Sequence, residues 1–463
     1  MASETTQALL KALEAGGYDS KPSSLNQGSA LQVEDLSPVM HNLTWDDQHI
    51  KLQKMLKNEP CKSTLAQFNR QLSYGGFGGS AGAEGVVGQE ETSDIVRVTV
   101  PMAYYSHIRK VTLVANLVDT FDGTKAEDRA ASDAGKKIVG DIEFDCFRGM
   151  ADFSNAGVFD GSVAVLADLP NMRGVDLQVR ASDSERTAKD LMFAEYGSDD
   201  TVVIAGGGTL TQDMIEDASV RSNLNMGMAD KLVVDPKVLS AYNKIAFGKE
   251  RIVLAGSAQD ATGAELRKQW VSNGTVDIEA SQFLRGKAKP APAKSTGPAA
   301  PSIALAAQAG TTSSAAGAYT YYVSAFNEIG ESVGSASAAV TLTAGQQAQI
   351  TITPSGSGSV ARGFNMYRSA VGGTAASAKF IGRVRNSGGA TTVILDLFNK
   401  RPGFVTGFLL EKDTMAMKEL SPYGRLKLAV SSLALPEAHF RFCALAVMEP
   451  RKNVIIDNLV GSF

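Results

Sequence analysis

Residues 64–104 read TLAQFNRQLSYGGFGGSAGAEGVVGQEETSDIVRVTVPMAY. The end of this stretch alternates. Over 94–104, Ile95, Val96, Val98 and Val100 interleave with Arg97 and Thr99, as in a half-buried strand. Its beginning, 64–74, reads as a strand with a polar face. Between them, Tyr74 to Gly82 carries too much glycine for the interior of a helix or a strand. The segment is therefore expected to form a long hairpin with a flexible, extended tip built on Gly75, Gly76, Phe77, Gly78 and Gly79. A hairpin of this kind buries little of itself within a monomer. It makes physical sense lying across a neighbouring copy, so these five residues are the candidate assembly site.

The flanking sequence supplies the body. Residues 124–148 are expected to be the longest helix, with Ala126, Ala130, Ala134, Ile138 and Ile142 recurring at steps of four and Ala131 and Val139 widening the stripe. Gly135 and Gly140 interrupt it, each at a cost of up to about 1 kcal/mol relative to Ala. Upstream, 3–15 reads as a short amphipathic helix capped by Ser3, with Leu9, Leu10 and Leu13 as its stripe and Gly16-Gly17 as its stop. A polar arm over 18–40 follows, then a second helix from Asp46 to Lys57 with Pro60 beyond its end. Downstream, 150–285 mixes short helices and strands. Thr211–Asn223 is a helix candidate capped by Thr211, Lys231–Val234 is a short apolar strand, and Asp235-Pro236 opens a helix running through Ile245. The pattern is α+β.

At 286–301 the sequence GKAKPAPAKSTGPAAP reads as a semi-rigid linker. Residues 302–396 then become rich in Ala, Ser, Thr and Gly. Short alternating runs at 318–326, 338–343, 348–353, 363–368, 379–385 and 391–396 are spaced as in a β-sandwich. From 402 the earlier style returns, with an apolar run at Phe442–Met448 and a strand-like Val454-Ile455-Ile456. A sandwich is thus expected to be inserted late in a larger α+β body.

Composition narrows the function classes. The chain has 463 residues, enough for two or three domains. Lys plus Arg number 45 and Asp plus Glu 49, for a net charge of -4, which argues against a dedicated nucleic-acid binder but not against weak DNA contact on one face. Cys61, Cys146 and Cys443 are sparse and unpaired in sequence, pointing to a reducing compartment. Met1 to Leu13 lacks the features of a secretory signal, and no stretch of roughly 18 apolar residues spans a membrane.

The motifs that carry catalysis elsewhere lack their context here. Gly78-Gly79-Ser80-Ala81-Gly82 fits G-x-S-x-G, but it lies in a glycine-rich loop and not between an apolar strand and a helix. Gly206-Gly207-Gly208 has no following Lys-Ser/Thr and reads as a turn before a helix. The histidines, His41, His49, His107 and His439, form no metal-binding spacing. Asp199-Asp200 and Glu90-Glu91 read as solvated loop carboxylates. Tyr319, Tyr321, Tyr322 and Phe326 read as strand core and edge packing before a stacking platform for sugars or bases. No enzyme activity and no cofactor are expected.

The N-terminal third resembles the major capsid proteins of large tailed-phage myoviruses of the Twort-like group. The residues that carry the resemblance are Asn42-Leu43-Thr44-Trp45, the polar helix through Leu56, Ser63-Thr64 opening a strand that ends at Ser73-Tyr74-Gly75, and Thr99-Val100-Pro101-Met102 closing the loop. Glu143-Phe144 near the end of the long helix and Phe159-Asp160-Gly161 after it continue the pattern. Phe442 to Pro450, Arg451-Lys452 and Val454-Ile455-Ile456 match it at the C-terminus, in order and spacing more than in identity. Tyr322 to Ser332 (YVSAFNEIGES) is similar to the fibronectin type III and bacterial Ig-like strand-turn pattern.

The resemblance implies a Hong Kong 97-type capsid fold. Residues 1–60 would be the N-terminal arm and helices, 61–123 the extended loop hairpin with flanking strands, and 124–285 the spine helix of the peripheral domain together with the axial domain. The linker is 286–301, the Ig-like sandwich 302–396, and 397–463 returns to the axial and peripheral domains. The implied partners are the chain itself, in hexamers and pentamers of an icosahedral head, with portal and scaffold proteins, a cement or decoration protein, packaged double-stranded DNA touched weakly, and surface glycans through an outward-projecting sandwich. The implied location is the virion, assembled in the bacterial cytoplasm. Two other readings stay open: another self-assembling virion part such as a tail tube, sheath or decoration protein, and a carbohydrate-binding adhesin working through its sandwich.

Overall fold

A computed structural model describes residues 44–73, 81, 84–85, 87–88, 90, 92–118, 124–148, 172–179, 202–204, 208–247, 267–284, 295–310, 312, 314–336, 338–396, 398, 401–430 and 433–460. Among them the α-helices are α1 (Leu52–Met55), α2 (Leu113–Leu117), α3 (Ala126–Arg148), α4 (Val175–Val179), α5 (Gln212–Leu224) and α6 (Pro236–Phe247). The expected helix at 3–15 and the arm at 18–40 lie outside the described residues.

The long helix α3 organises one half of the molecule. It lies against a four-stranded sheet of order β1-β17-β18-β4, where β1 is Lys57–Pro60, β17 Met415–Lys427, β18 Ala434–Val447 and β4 Ala103–Thr112. β1 runs parallel to β17, and the other pairs are antiparallel. The stripe read from sequence is the buried face. Ala134, Ile138, Ile142, Cys146 and Phe147 are fully or nearly covered, and the last four meet Met417, Cys443, Leu445 and Val447 from the sheet. Ala126, Ala130, Ala131 and Val139 stay half-exposed.

The two glycines of α3 have different surroundings. A Cβ at Gly140 would sit 2.6 Å from Trp45 Cζ2, so the glycine is the seat of the tryptophan, whose far side packs edge-on against Phe283 at 5.7 Å. A Cβ at Gly135 would meet the Tyr423 ring at 3.5–3.7 Å, an ordinary contact. Gly140→Ala is therefore expected to destabilise the chain by about 1–3 kcal/mol through overpacking. Gly135→Ala should be neutral or stabilising by up to about 1 kcal/mol. Denaturant titration of the two variants checks the opposite signs.

The expected helix over Asp46–Lys57 is a correction. The chain makes a 3₁₀ turn at Asp47–His49, extends at Ile50 and then forms only the four residues of α1, after which Lys57 already pairs with Ala416. The cause is the carboxylate of Glu143 on α3. It is fully buried and accepts the backbone N–H groups of Lys51 (2.9 Å), Leu52 (2.7 Å) and Gln53 (3.0 Å). Those donors are taken before a longer helix could begin further upstream.

The second half is a six-stranded mixed sheet of order β5-β19-β16-β6-β8-β7. Here β5 is Val202–Ile204, β6 Lys231–Val234, β7 Lys268–Val271, β8 Gly274–Ala280, β16 Phe404–Leu410 and β19 Val454–Val460. α5 and α6 follow the sequence reading closely. Thr211 Oγ1 accepts the Met214 N–H at 3.3 Å, and Asp235 accepts the Lys237 N–H at 2.7 Å with Pro236 in the first turn. Ile215, Ala218, Val238 and Tyr242 bury themselves on this sheet beside Leu232, Val234, Ile278 and Leu409.

Between β8 and β16 the chain leaves to build two further sheets around their own core. One has order β11-β10-β13-β14, from Ala338–Leu342 (β11), Gly317–Phe326 (β10), Gly363–Arg368 (β13) and Lys379–Arg385 (β14). The other has order β15-β12-β9, from Thr392–Asp396 (β15), Gln347–Thr353 (β12) and Ser302–Gln308 (β9). Tyr321, Val323, Phe364 and Met366 from the first meet Ile350, Ile352 and Ile394 from the second. All six strands expected here occur within two residues of their expected bounds. The additional one, β9 (SIALAAQ), was hidden because its alanines continue the composition of the linker. The unit rests on α3: Lys137 donates to the carbonyl of Glu328, and the Arg383 guanidinium lies over the rings of Phe326 (3.9 Å) and Phe144 (4.6 Å).

Candidate assembly surfaces

The hairpin read first from the sequence is present as β2 (Leu65–Ser73) and β3 (Asp94–Pro101), antiparallel from Leu65↔Pro101 to Ser73↔Asp94. Among the described residues it pairs with no other strand, as a two-stranded sheet of its own. Its base is fixed at two points. Ala66, Val100 and Met102 pack on Ala444 of β18. Arg70, itself buried, donates to the carbonyls of Met448 (2.5 Å) and Val447 (3.2 Å). Leu65 at the base and Ile95 toward the tip are exposed, Ile95 by 63%. The predicted tip residues Gly75, Gly76, Phe77, Gly78 and Gly79 lie outside the described residues, as do Ser80 and Gly82 of the G-x-S-x-G match.

A second surface escaped the sequence reading. At the end of the four-stranded sheet far from the hairpin base, β4 runs into α2, and the β17–β18 turn lies beside it through the Leu113 N–H to Leu433 carbonyl bond of 3.0 Å. Val114, Leu117, Val118, Leu426, Val430 and Leu433 are all exposed there, Leu117 by 74% and Leu433 by 79%. Thr112 caps α2 by accepting the Ala115 N–H at 3.3 Å. A five-residue helix has too little surface to bury a run as apolar as Leu113-Val114-Ala115-Asn116-Leu117-Val118, and that mismatch was the available signal. Scattered apolar residues are normal on a protein surface, but a contiguous patch marks a contact site.

The six-stranded half exposes Leu224, Met226, Met228 and Trp270. Met226 is held at φ 59°, a left-handed conformation that long side chains rarely adopt.

Among the described residues no group of three or more His, Cys, Asp or Glu side chains could hold a metal, and no helix is long and apolar enough to cross a membrane. Cys61, Cys146 and Cys443 are free thiols; burial pushes Cys443 up to about 12 and Cys146 well above the usual thiol range. Gly208 accepts the Val460 N–H at 3.2 Å, which ties its segment to β19; Gly206 and Gly207 lie outside the described residues. Tyr319 and Tyr321 are core residues, and Tyr322 stacks on Tyr367 at 4.5 Å, so the tyrosine run serves packing. Asp199-Asp200, Glu91 and His41 lie outside the described residues.

These features define a mixed α+β chain in which one long helix backs a sheet, an anchored hairpin extends from that sheet, and an apolar patch around Leu117 and Leu433 faces solvent. No protein-family model matches the chain. It is similar, at 28% identity over 164 residues, to a protein of Enterococcus phage phiEF24C described as "Putative major capsid protein". The match covers 34% of this chain and 34% of that relative, about a third of its length. Among solved structures, the capsid of a native GTA particle aligns over 94% of this chain and 98% of its own, with 10% identity and a TM-score of 0.48. The capsid of the cyanophage P-SCSP1u covers 94% and 96% with 9% identity and a TM-score of 0.44. The mature capsid of bacteriophage PhiM1 covers 95% and 95% with 11% identity and a TM-score of 0.42.

Proposed function

We propose that this chain is the major capsid protein of a tailed bacteriophage, a head-shell subunit with the Hong Kong 97-type fold. The observation that carries the reading is the hairpin β2–β3. It is anchored at its base by Arg70 and an apolar cluster, and among the described residues it joins no other sheet. An element that gains so little from its own chain is stabilised by lying on a second copy. Repetition by symmetry then turns many modest contacts into a stable shell. The partial match to a phage protein and the exposed apolar patch around Leu117 and Leu433 support the same reading. The role is structural, with no catalytic step, and the place of action is the virion.

Within this reading α3 is the spine helix of the peripheral domain, the six-stranded sheet is the axial domain and 302–396 is an Ig-like insertion on the outer surface. The subunits form hexamers and pentamers around packaged DNA. Portal, scaffold and cement proteins are the further partners, the head is assembled in the host cytoplasm, and the insertion is the element placed to meet surface glycans. The Twort-like myoviruses are the group whose sequence order it follows.

Electron microscopy of the purified full-length chain tests the assignment. Closed shells, or sheets of hexamers and pentamers, are expected. Tubes of uniform diameter would favour a tail component. Leu117→Asp and Leu433→Asp should abolish assembly while leaving the circular dichroism spectrum unchanged, because both side chains already face solvent in the single subunit.

A further inference from the structure

A layer of titratable groups lies between α3 and the distal half of its sheet, where the apolar core has given out. His107 on β4 and His439 on β18 are direct cross-strand partners. His439 is fully buried, and its Nδ1 lies 2.8 Å from Tyr423 Oη on β17. Tyr423 in turn donates to the carbonyl of Ala131 on α3 at 3.3 Å. The phenol has one proton, so His439 Nδ1 carries the hydrogen of the shared bond and its Nε2 is bare. That Nε2 and His107 Nδ1 are buried with no hydrogen-bond partner.

The charges facing this pair are mostly positive. His107 faces Lys137 of α3, Arg109 of its own strand, Glu328 of the inserted unit and His439. His439 faces Arg425 of β17, Arg109 and Glu437, whose carboxylate lies 4.0 Å from its Nε2. Glu437 is already engaged by Arg425 at 2.5 and 2.9 Å. The other groups of the layer are also matched: Glu127 and Asp128 of α3 with Arg425, Glu127 with Lys427, Tyr105 with Asp145, and Arg441 with Glu419. Lys137 is the same residue whose ammonium holds the carbonyl of Glu328 in the inserted unit.

We propose that His107 and His439 form an acid-sensitive latch that keeps α3 and the inserted unit seated on the sheet at neutral pH and releases both as the pH falls. A proton on either ring would place a new positive charge, fully buried at His439 and half-buried at His107, against Arg109 and Lys137 or Arg425; the facing carboxylates Glu437 and Glu328 are already held by Arg425 and Arg362, and Asp141 of α3 faces Lys137 and Arg383. Because Lys137 also grips Glu328, repulsion at His107 acts on the helix and on the inserted unit together.

The direction of the effect follows from linkage. Burial first, then Lys137 and Arg109, push His107 from 6.5 down to about 4. Burial, opposed by Glu437 and assisted by Arg425 and Arg109, also lowers His439. The released form, with ordinary histidines, binds protons more readily than the seated one. The stability of the seated form is therefore complete above about pH 6.5 and declines as the pH drops toward about 4. This inference stands apart from the shell assignment, since it concerns contacts within one subunit.

The test uses the full-length chain and two readouts. The chain has only four histidines, so their ring proton resonances can be followed from pH 8 to 4 and assigned by substitution. Amide exchange, corrected for its intrinsic pH dependence, reports protection of 126–140 and of the segment around Glu328. His107 titrating near 4 and His439 below the usual histidine value are expected, with protection in both segments falling at least tenfold as the pH drops. The His107→Gln, His439→Gln double variant should lose most of that step. The proposal is overturned if all four rings titrate near 6.5, if protection is constant from pH 7 to 4, or if the step persists in the double variant. Should the variant fail to fold, the wild-type titration and exchange decide alone.

Discussion

Glu143→Ala is expected to lower the unfolding free energy of the chain by roughly 3–5 kcal/mol, among the largest single-residue effects the fold allows. The carboxylate is completely shielded from water and is the acceptor for three consecutive backbone N–H groups. Alanine would leave all three without an acceptor and open a cavity beside Leu52, in the core shared with Ile142 and Phe147. Each buried donor left unmade costs about 1–3 kcal/mol. Glu143→Gln should fall between wild type and alanine, because an amide offers one oxygen to donors now divided between two and turns an NH₂ group toward the third. Denaturant titration should show this order. Equal stability of the alanine variant and wild type would mean that the Lys51–Gln53 segment does not rely on this carboxylate.

Asp396→Ala is the second large effect, and it should be confined to the inserted unit. Asp396 forms a buried ion pair with Arg368, whose side chain is 3% exposed. The carboxylate also accepts the Tyr321 hydroxyl at 3.0 Å and the Phe398 N–H at 2.9 Å, and the guanidinium lies 4.2 Å over the Phe398 ring. Removing the acid leaves a guanidinium in the core without its counter-charge, at a cost of about 3–5 kcal/mol. Replacing both partners, Arg368→Met with Asp396→Leu, should restore only the part due to the uncompensated guanidinium, since the Tyr321 hydroxyl and the Phe398 N–H still lose their acceptor. Amide exchange over 302–396 would locate the effect. A loss spread equally over α3 would show that the unit and the main body unfold together.

The fold was legible where a local rule suffices. The stripe of α3, the caps at Thr211 and Asp235, the β6 strand and most strands of the inserted unit each follow from periodicity or capping within a dozen residues. The segment at 46–60 was not, because its structure is decided by Glu143, some ninety residues away. A polar helix and a turn followed by a parallel strand look alike when the acceptor that selects between them is unseen. The long β17–β18 hairpin was only half legible for a related reason: polar residues such as Arg425, Glu437 and His439 point at a helix and not at water, so its alternation is masked. Of the candidate assembly site, the hairpin strands and their polar faces were readable. The apolar patch around Leu117 and Leu433 was not, because a sequence shows which residues are apolar but not which of them the fold leaves uncovered.

The strand order of the sheet beneath α3 has a temporal consequence. β1 and β4 are completed by residue 112, but the strands lying between them, β17 and β18, begin at 415 and end at 447. The sheet thus cannot close until residue 447 has left the ribosome, more than 300 residues after β4, a delay on the order of tens of seconds at ordinary translation rates. The inserted unit needs only about a hundred contiguous residues and is free to mature first. Loop closure over such distances also makes folding slow. The hairpin β2–β3, made early, waits through that interval without Ala444, Val447 and Met448, which anchor it. If copies join through this hairpin as proposed, a chain that has not yet reached residue 448 lacks the seated hairpin, and self-association is held back until that point.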